Sequence, residues 1–549
     1  MMLKKNLKAA VSVILVFTMI FAMTACGGGD GGSSSFKTPE NELVIGTYSD
    51  GSACRLDPSM TSSYGDWQYN NQMYDTIVTS DFDGVTIKDA LAESWDISED
   101  GKTYTFHLKD GIKFHSGKAL TSADVKASWE RWKTDAEAQY SYYLDFVDTI
   151  ETPDDQTVVL NLSQPDNNLL INLTVPVAAI TNVDAVEQAE AEGKVYGVEV
   201  VDGTGPFKLG EYVSGDHLTM VRNDDYTWGS SIYENQGPAH LEKLTVKFLS
   251  EASTRLMEFE SGNVDILGNG CVFAQELDRI LEDKSNTMVE YVPPYPVFIM
   301  FQTERVPDVQ VRKAMNMAID RDEIIATTMG GHSQPMVGAL PSDYKWYWDG
   351  ADDMYPYDLD AAGKILDEAG YTLESDGYRY KDGKKLSIEI SYCASNEDAK
   401  TAELVQAQMK KIGIDIQINT NTADFWTRIG GEQDNNFDTL IMGLYINSPE
   451  DMLQEYLYSK NIPAPNRSKW SDPQVDKLLV EARSTTDEGR RQECYDEIQK
   501  IAMEEALWIP LYNKNGWSVM KSYVKGYKAH PTIVEGEPKY LDVYKEAAE

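Results

Sequence analysis

Positive charge is scarce in this chain. Across 549 residues, 49 Lys and Arg stand against 89 Asp and Glu, a formal net charge of −40. A field of that sign disfavours nucleic acid and anionic lipid surfaces as partners. Cysteine is scarce too, with five in all. Cys54, Cys271, Cys393 and Cys494 are scattered without any C-x-x-C spacing, which argues against a structural zinc site. They could form two disulfides in three ways, or remain buried free thiols. The six His show no H-x-x-x-H or other ligand spacing, so no metal is expected and a nickel role has little support. No G-x-S-x-G, H-E-x-x-H or P-loop occurs, and no catalytic residues are assigned. With so many acids, carboxylate pairs arise by chance, so spacing cannot argue for a glycosidase dyad. Beyond the first 25 residues no segment is apolar and long enough to span a membrane.

What is present begins with an address. Lys4, Lys5 and Lys8 precede an apolar run from Ala9 to Met23, the pattern of a secretory signal peptide over residues 1–25. Met23-Thr24-Ala25-Cys26 resembles a lipobox, which makes Cys26 the expected site of lipid attachment. A Gly/Ser tether follows from Gly27 to Ser35 and cannot bury enough surface to order itself. Such a segment reaches roughly 15–18 Å on average. The folded body is therefore expected on the outer face of the cell membrane (the periplasmic side if a second membrane exists), held by N-terminal lipid only. The composition, 42% hydrophobic and 10% aromatic, suffices for large cores.

The stretch Leu91–Trp132 is the most specific. Trp95 and Ile97 alternate with polar neighbours, Glu99-Asp100-Gly101 supplies a turn, and Tyr104, Phe106 and Leu108 follow at period two: a half-buried hairpin. Thr121 with Asp124 matches a capping box, and Val125, Trp129 and Trp132 share a helical face. These residues are scaffold.

Leu91-Ala92-Glu93-Ser94-Trp95, Phe106-His107-Leu108-Lys109, Phe114-His115-Ser116-Gly117 and Asp124-Val125 together resemble the signature of the extracellular solute-binding proteins of family 5, the dipeptide-, oligopeptide- and nickel-type receptors of ABC importers. Lys109 and Ser116 stand where the family has Arg and Asp. Leu56-Asp57-Pro58, Gly203-Thr204-Gly205-Pro206-Phe207-Lys208-Leu209, Val311-Arg312-Lys313-Ala314 with Ala318-Ile319-Asp320-Arg321, and Ala361-Ala362 to Tyr371 extend the resemblance from about Leu43 to Tyr512. It implies an α/β, type II periplasmic-binding-protein fold: two α/β lobes joined by a hinge, with an additional small domain. The expected division is a tether over 26–39, a discontinuous first lobe over 40–85, 200–295 and 505–549, an additional α/β domain over 86–199, and a second lobe over 296–504.

Periodicity places further elements. Leu244–Phe248, a helix over Ser253–Ser261 and a return at Gly262–Ile266 read as a parallel crossover. Val297–Gln302 reads as a first hinge strand. Asp308 caps an expected helix carrying Val311, Ala314, Met315, Ala318 and Ile319 and ending at Gly330-Gly331. Asp472-Pro473 starts another helix, Arg491–Glu505 forms the last long one, and Trp508–Tyr512 returns as a strand.

For the ligand, Gly443–Leu453 resembles the family's cleft loop, whose first Asp pairs with a peptide's α-ammonium. Here Asn447 or Ser448 occupies that place, and a neutral amide cannot make the ion pair; Glu450 or Asp451 could substitute from a shifted position. Tyr344, Trp346, Tyr347, Trp348, Tyr355 and Tyr357 crowd one loop, either as a loop core or as a stacking wall. The candidate ligand-binding set is Trp346, Trp348, Trp426, Tyr445, Asn447, Ser448 and Cys271. The resemblance implies a monomeric receptor, without cofactor, that passes a small solute to ABC permease subunits. A short peptide is favoured, with an oligosaccharide or other polar metabolite second. The rivals from other classes are a lipid-anchored hydrolase and a surface sensor.

Overall fold

The computed structural model describes residues 36–52, 54–61, 64–392, 396–419, 436–531 and 536–547. The leader, Cys26, residues 27–35 of the tether, Cys393 and Trp426 lie outside the described residues.

Two mixed sheets dominate. The first has seven strands, in the order Asn286–Tyr291, Gly516–Lys521, Ile266–Leu267, Glu42–Thr47, Lys243–Phe248, His217–Arg222 and Phe207–Val213. Glu42–Thr47 lies between Lys243–Phe248 and Ile266–Leu267 and pairs with both in parallel, so the predicted crossover, with its helix at Ala252–Glu260, brackets a third strand. The second sheet has six strands, in the order Ser333–Pro335, Trp508–Lys514, Pro296–Phe301, Thr439–Gly443, Ser387–Ser391 and Asp415–Ile418. Pro296–Phe301 is buried at every position, as a strand covered on both faces must be.

A four-stranded antiparallel sheet joins Ala92–Ile97, Thr103–Leu108, Thr157–Leu162 and Val147–Asp154. The hairpin pairs Trp95 with Phe106 and Ile97 with Tyr104. Thr121 and Asp124 form the capping box of Ser122–Thr134, which buries Val125, Trp129 and Trp132. The Gly-Pro segment ties this unit to the first sheet. His115 N–H donates to Gly203 O (2.8 Å), and a Cβ at Gly203 would stand 2.2 Å from Met73 O.

Two expectations need correction. The single helix after Asp308 is two, Val309–Met317 and Arg321–Thr328. Asp320 accepts from Glu323 N–H and caps the second, so a side chain counted within the helix starts a new one. The segment 505–549, expected wholly in the first lobe, is divided. Trp508–Lys514 pairs with Pro296–Phe301 in the six-stranded sheet, and the chain enters the seven-stranded sheet only at Gly516. An alternating apolar strand does not state its sheet; its hydrogen-bonding neighbour does.

These pairings put the two crossings side by side. Asn286–Tyr291 continues into Pro296–Phe301, and Trp508–Lys514 into Gly516–Lys521. Asn513 clasps the crossings, its Oδ1 accepting from Tyr295 N–H (2.7 Å) and its Nδ2 donating to Pro293 O (2.9 Å).

Cys54, Cys271 and Cys494 are buried free thiols. Among the described residues no helix is long and apolar enough to cross a membrane, and no three His, Cys, Asp or Glu gather as a metal site.

His530 is fully buried, with Nε2 2.9 Å from Ser80 O, and burial pushes it down to about 4. Burial moves His115 the same way, also to about 4. Unfolded His titrates near 6.5, so the unfolded chain binds more protons between pH 6.5 and 4. Stability should fall as pH drops through that window. In melting curves across it, His530→Asn should flatten the decline relative to the parent; an unchanged slope refutes the assignment.

Candidate functional site

A cleft of about 470 Å³ opens where the four-stranded unit, the crossing strands and the six-stranded half meet. It is walled by the turn from Phe82 to Ile87, the loop from Asn167 to Ile171, the crossing at Tyr291–Pro294, the facing segments 343–346 and 447–449, and Ala529 with Pro531. Arg491 reaches it from the helix Glu488–Glu504.

Local rules explain the loop 447–449. Thr439–Gly443 ends at the cleft, and Pro449 opens the helix Pro449–Leu457. Ser448 and Asp451 form its capping box, with Asp451 Oδ2 accepting from Asn447 N–H (2.7 Å) and Ser448 N–H (3.0 Å). That oxygen is therefore engaged in holding the loop. Tyr344 OH donates to Asn447 O (3.2 Å) and locks the facing segment to it.

Of the sequence-predicted residues, Trp346, Asn447 and Ser448 come together on the cleft wall. Trp346 serves as both core and wall. It is 7% exposed, meets Tyr495 edge-on at 5.2 Å, and borders the cleft. Trp348 and Tyr355 pack instead into the core beneath, where Gln499 binds Trp348 N–H and Trp346 O. Tyr445 lies outside this wall; its ring meets Tyr295 edge-on at 4.6 Å and its OH accepts from Asn269 Nδ2 (3.0 Å). Cys271 is buried with Sγ 3.4 Å from Gly46 O and does not line the cleft. The sequence reading missed Asn167, Asn168 and Arg491. Asn167-Asn168 reads as turn chemistry after Pro165-Asp166, and an Arg on a polar helix reads as solvated.

Contacts bridge the cleft's two sides. Arg483, at the end of Pro473–Ser484, holds Asp166 with two hydrogen bonds, Nη2–Oδ2 at 2.8 Å and Nε–Oδ1 at 3.1 Å. Asn167 Nδ2 donates to Ala482 O (3.2 Å) and Thr485 O (2.5 Å), satisfying carbonyls at that helix end. Tyr142 OH donates to Glu455 Oε1 (3.3 Å). Burial first, and Asp451 second, push Glu455 up to about 7.

The architecture has counterparts among known proteins. The family model for bacterial extracellular solute-binding proteins, family 5 Middle, matches residues 86–464. The chain is 28% identical over 494 residues to Heme-binding protein A of Haemophilus influenzae, covering 84% of this chain and 85% of that one. It is 26% identical over 513 residues to the Probable D,D-dipeptide-binding periplasmic protein DdpA of Escherichia coli, covering 90% and 93%. Its fold matches the periplasmic binding protein DppA of Helicobacter pylori in complex with the peptide STSA, at a TM-score of 0.76, 26% identity, and coverage of 92% and 98%. The fold is thus the type II periplasmic-binding-protein architecture.

Proposed function

Since the chain belongs to the bacterial extracellular solute-binding proteins of family 5, the receptors of ABC importers, we propose that it captures a short peptide by closing two lobes on it and releases it unaltered to a membrane permease. The observation that carries this reading is the cleft's position. It lies against the crossing at Tyr291–Pro294, which runs beside the second crossing, so rotation about residues 291–296 and 514–516 changes its width without disturbing either sheet. The first lobe comprises 40–85, 200–295 and the chain from Gly516; the second comprises 296–514; residues 86–199 form the additional domain. Ligand contacts to both sides favour the closed form. Cys26 carries the lipid, and the receptor works as a monomer on the outer face of the membrane.

A peptide is favoured because relatives are named for dipeptides and a similar fold holds the peptide STSA. The aromatic wall of Phe82, Tyr291, Tyr344 and Trp346 supports the second reading, an oligosaccharide or other ring-bearing metabolite.

A thermal-shift screen over di- to pentapeptides and oligosaccharides tests this. A true ligand at 100 times its Kd should stabilise by about 2.7 kcal/mol. Its addition should reduce the radius of gyration, and mass spectrometry should recover it intact. Cleaved products, or scattering that no solute changes, would overturn the proposal.

A further inference from the structure

The cleft's charges are unequal in availability. Asp83, Asp343, Lys345 and Arg491 line it. Asp83 serves its own turn: Oδ1 accepts from the Val85 and Thr86 amides, both at 2.8 Å, and Oδ2 from the Thr86 hydroxyl at 2.5 Å. Burial raises this carboxyl, but those bonds outweigh it and hold it below the usual range. Asp343 is exposed at the rim. Lys345 is paired with Glu488 at 2.5 Å. Asp451 is engaged by the loop amides, as described above.

Arg491 differs. No carboxylate among the described residues stands within ion-pair distance of it. Its guanidinium lies 4.6 Å from the Trp346 ring centroid and 5.6 Å from that of Tyr495. Nε donates to Tyr495 OH (3.3 Å) and Nη2 to Asn168 Oδ1 (2.8 Å). Nη1 makes no hydrogen bond with the described residues. Two aromatic rings and an amide thus fix the plane of a guanidinium whose outer edge remains for a ligand. A fixed planar fork suits a carboxylate, which can accept two parallel N–H bonds.

We infer that the cleft reads the acidic end of its solute: Arg491 anchors a carboxylate, and a free amino terminus is not required. This rests on the receptor role proposed above and adds the ligand's charge class. The loop where the family's peptide receptors carry an ammonium-binding Asp has Asn447 and Ser448 here, so the electrostatic grip moves to the opposite terminus.

Calorimetry on the full mature chain tests this with one tripeptide in three forms: free, N-acetylated and C-amidated. Acetylation should change Kd by less than about threefold, and amidation should weaken binding roughly tenfold or more, the effect of losing a charged hydrogen-bond pair. Arg491→Gln should erase the acid–amide difference, and Arg491→Lys should restore part of it. Melting of both variants without ligand shows whether they fold. Amide and acid binding equally, or acetylation abolishing binding, overturns the inference while leaving a peptide receptor. If no peptide binds, maltotriose and trigalacturonate replace them: acid-only binding supports the anchor, and neutral-only binding refutes it. Silence from every probe defeats the receptor reading together with the anchor.

Discussion

Replacing Lys545 by Met should remove roughly 3–5 kcal/mol of stability, the cost of stranding a buried charge. Lys545 and Asp265 form an ion pair at 2.7 Å with both side chains 0% exposed. Asp265 also accepts from Thr38 Oγ1 (2.5 Å), Tyr523 OH (2.7 Å) and Val44 N–H (2.8 Å). Lys545 Nζ donates to Thr38 Oγ1 (2.7 Å) and Pro39 O (3.0 Å). Burial pushes the Lys545 ammonium below its usual range, and Asp265 pulls it back. The cluster staples both ends of the folded chain to the centre of the seven-stranded sheet. Removing the Lys leaves three donors, Thr38 Oγ1, Tyr523 OH and Val44 N–H, around an unneutralised carboxylate. Urea unfolding followed by Trp fluorescence should show the loss, and Asp265→Asn in the same chain should recover part of it. A loss below about 1 kcal/mol, the range of an exposed pair, would refute the argument.

Arg483→Met should act on shape rather than on folding. Asp166 is held by Arg483 with its side chain 1% exposed, and Arg483 also stacks on Phe146 at 4.2 Å. Leaving Asp166 unpaired and closed over would cost roughly 3–5 kcal/mol. Here the pair sits between two halves that the proposed hinge separates, so opening returns Asp166 to water and relieves most of that penalty. The ligand-free variant should therefore show a larger radius of gyration in scattering. Its apparent affinity should fall in proportion to the closed fraction it has lost. Adding Asp166→Leu should restore both. Unchanged scattering with a lowered melting temperature would mean the pair supports folding and not closure.

Much of the scaffold is legible because its rules are local. The Thr121–Asp124 box, the Trp95–Phe106 hairpin and the Asp472 cap need only neighbours in sequence, and each stands where its residues indicated. Of the candidate site, Asn447 and Ser448 follow from a motif and Trp346 from a crowding of aromatics. Arg491 could not be found that way. Its distinction is what surrounds it, namely Trp346 and Asn168, which are 145 and 323 positions away.

Composition and short-range pattern carry the family, the hairpin-and-helix scaffold and the excess of negative charge, and they set the expectation of export. Each follows from short-range patterns or from totals, which need no coordinates. Three-dimensional packing settles which sheet receives Trp508–Lys514, that Asp451 is engaged by loop amides, and that Arg491 faces the cleft with no carboxylate among the described residues in ion-pair distance. Hydrogen-bond partnership and charge pairing between distant segments are properties of three-dimensional neighbourhood, and a side chain's chemistry is set by which neighbours reach it.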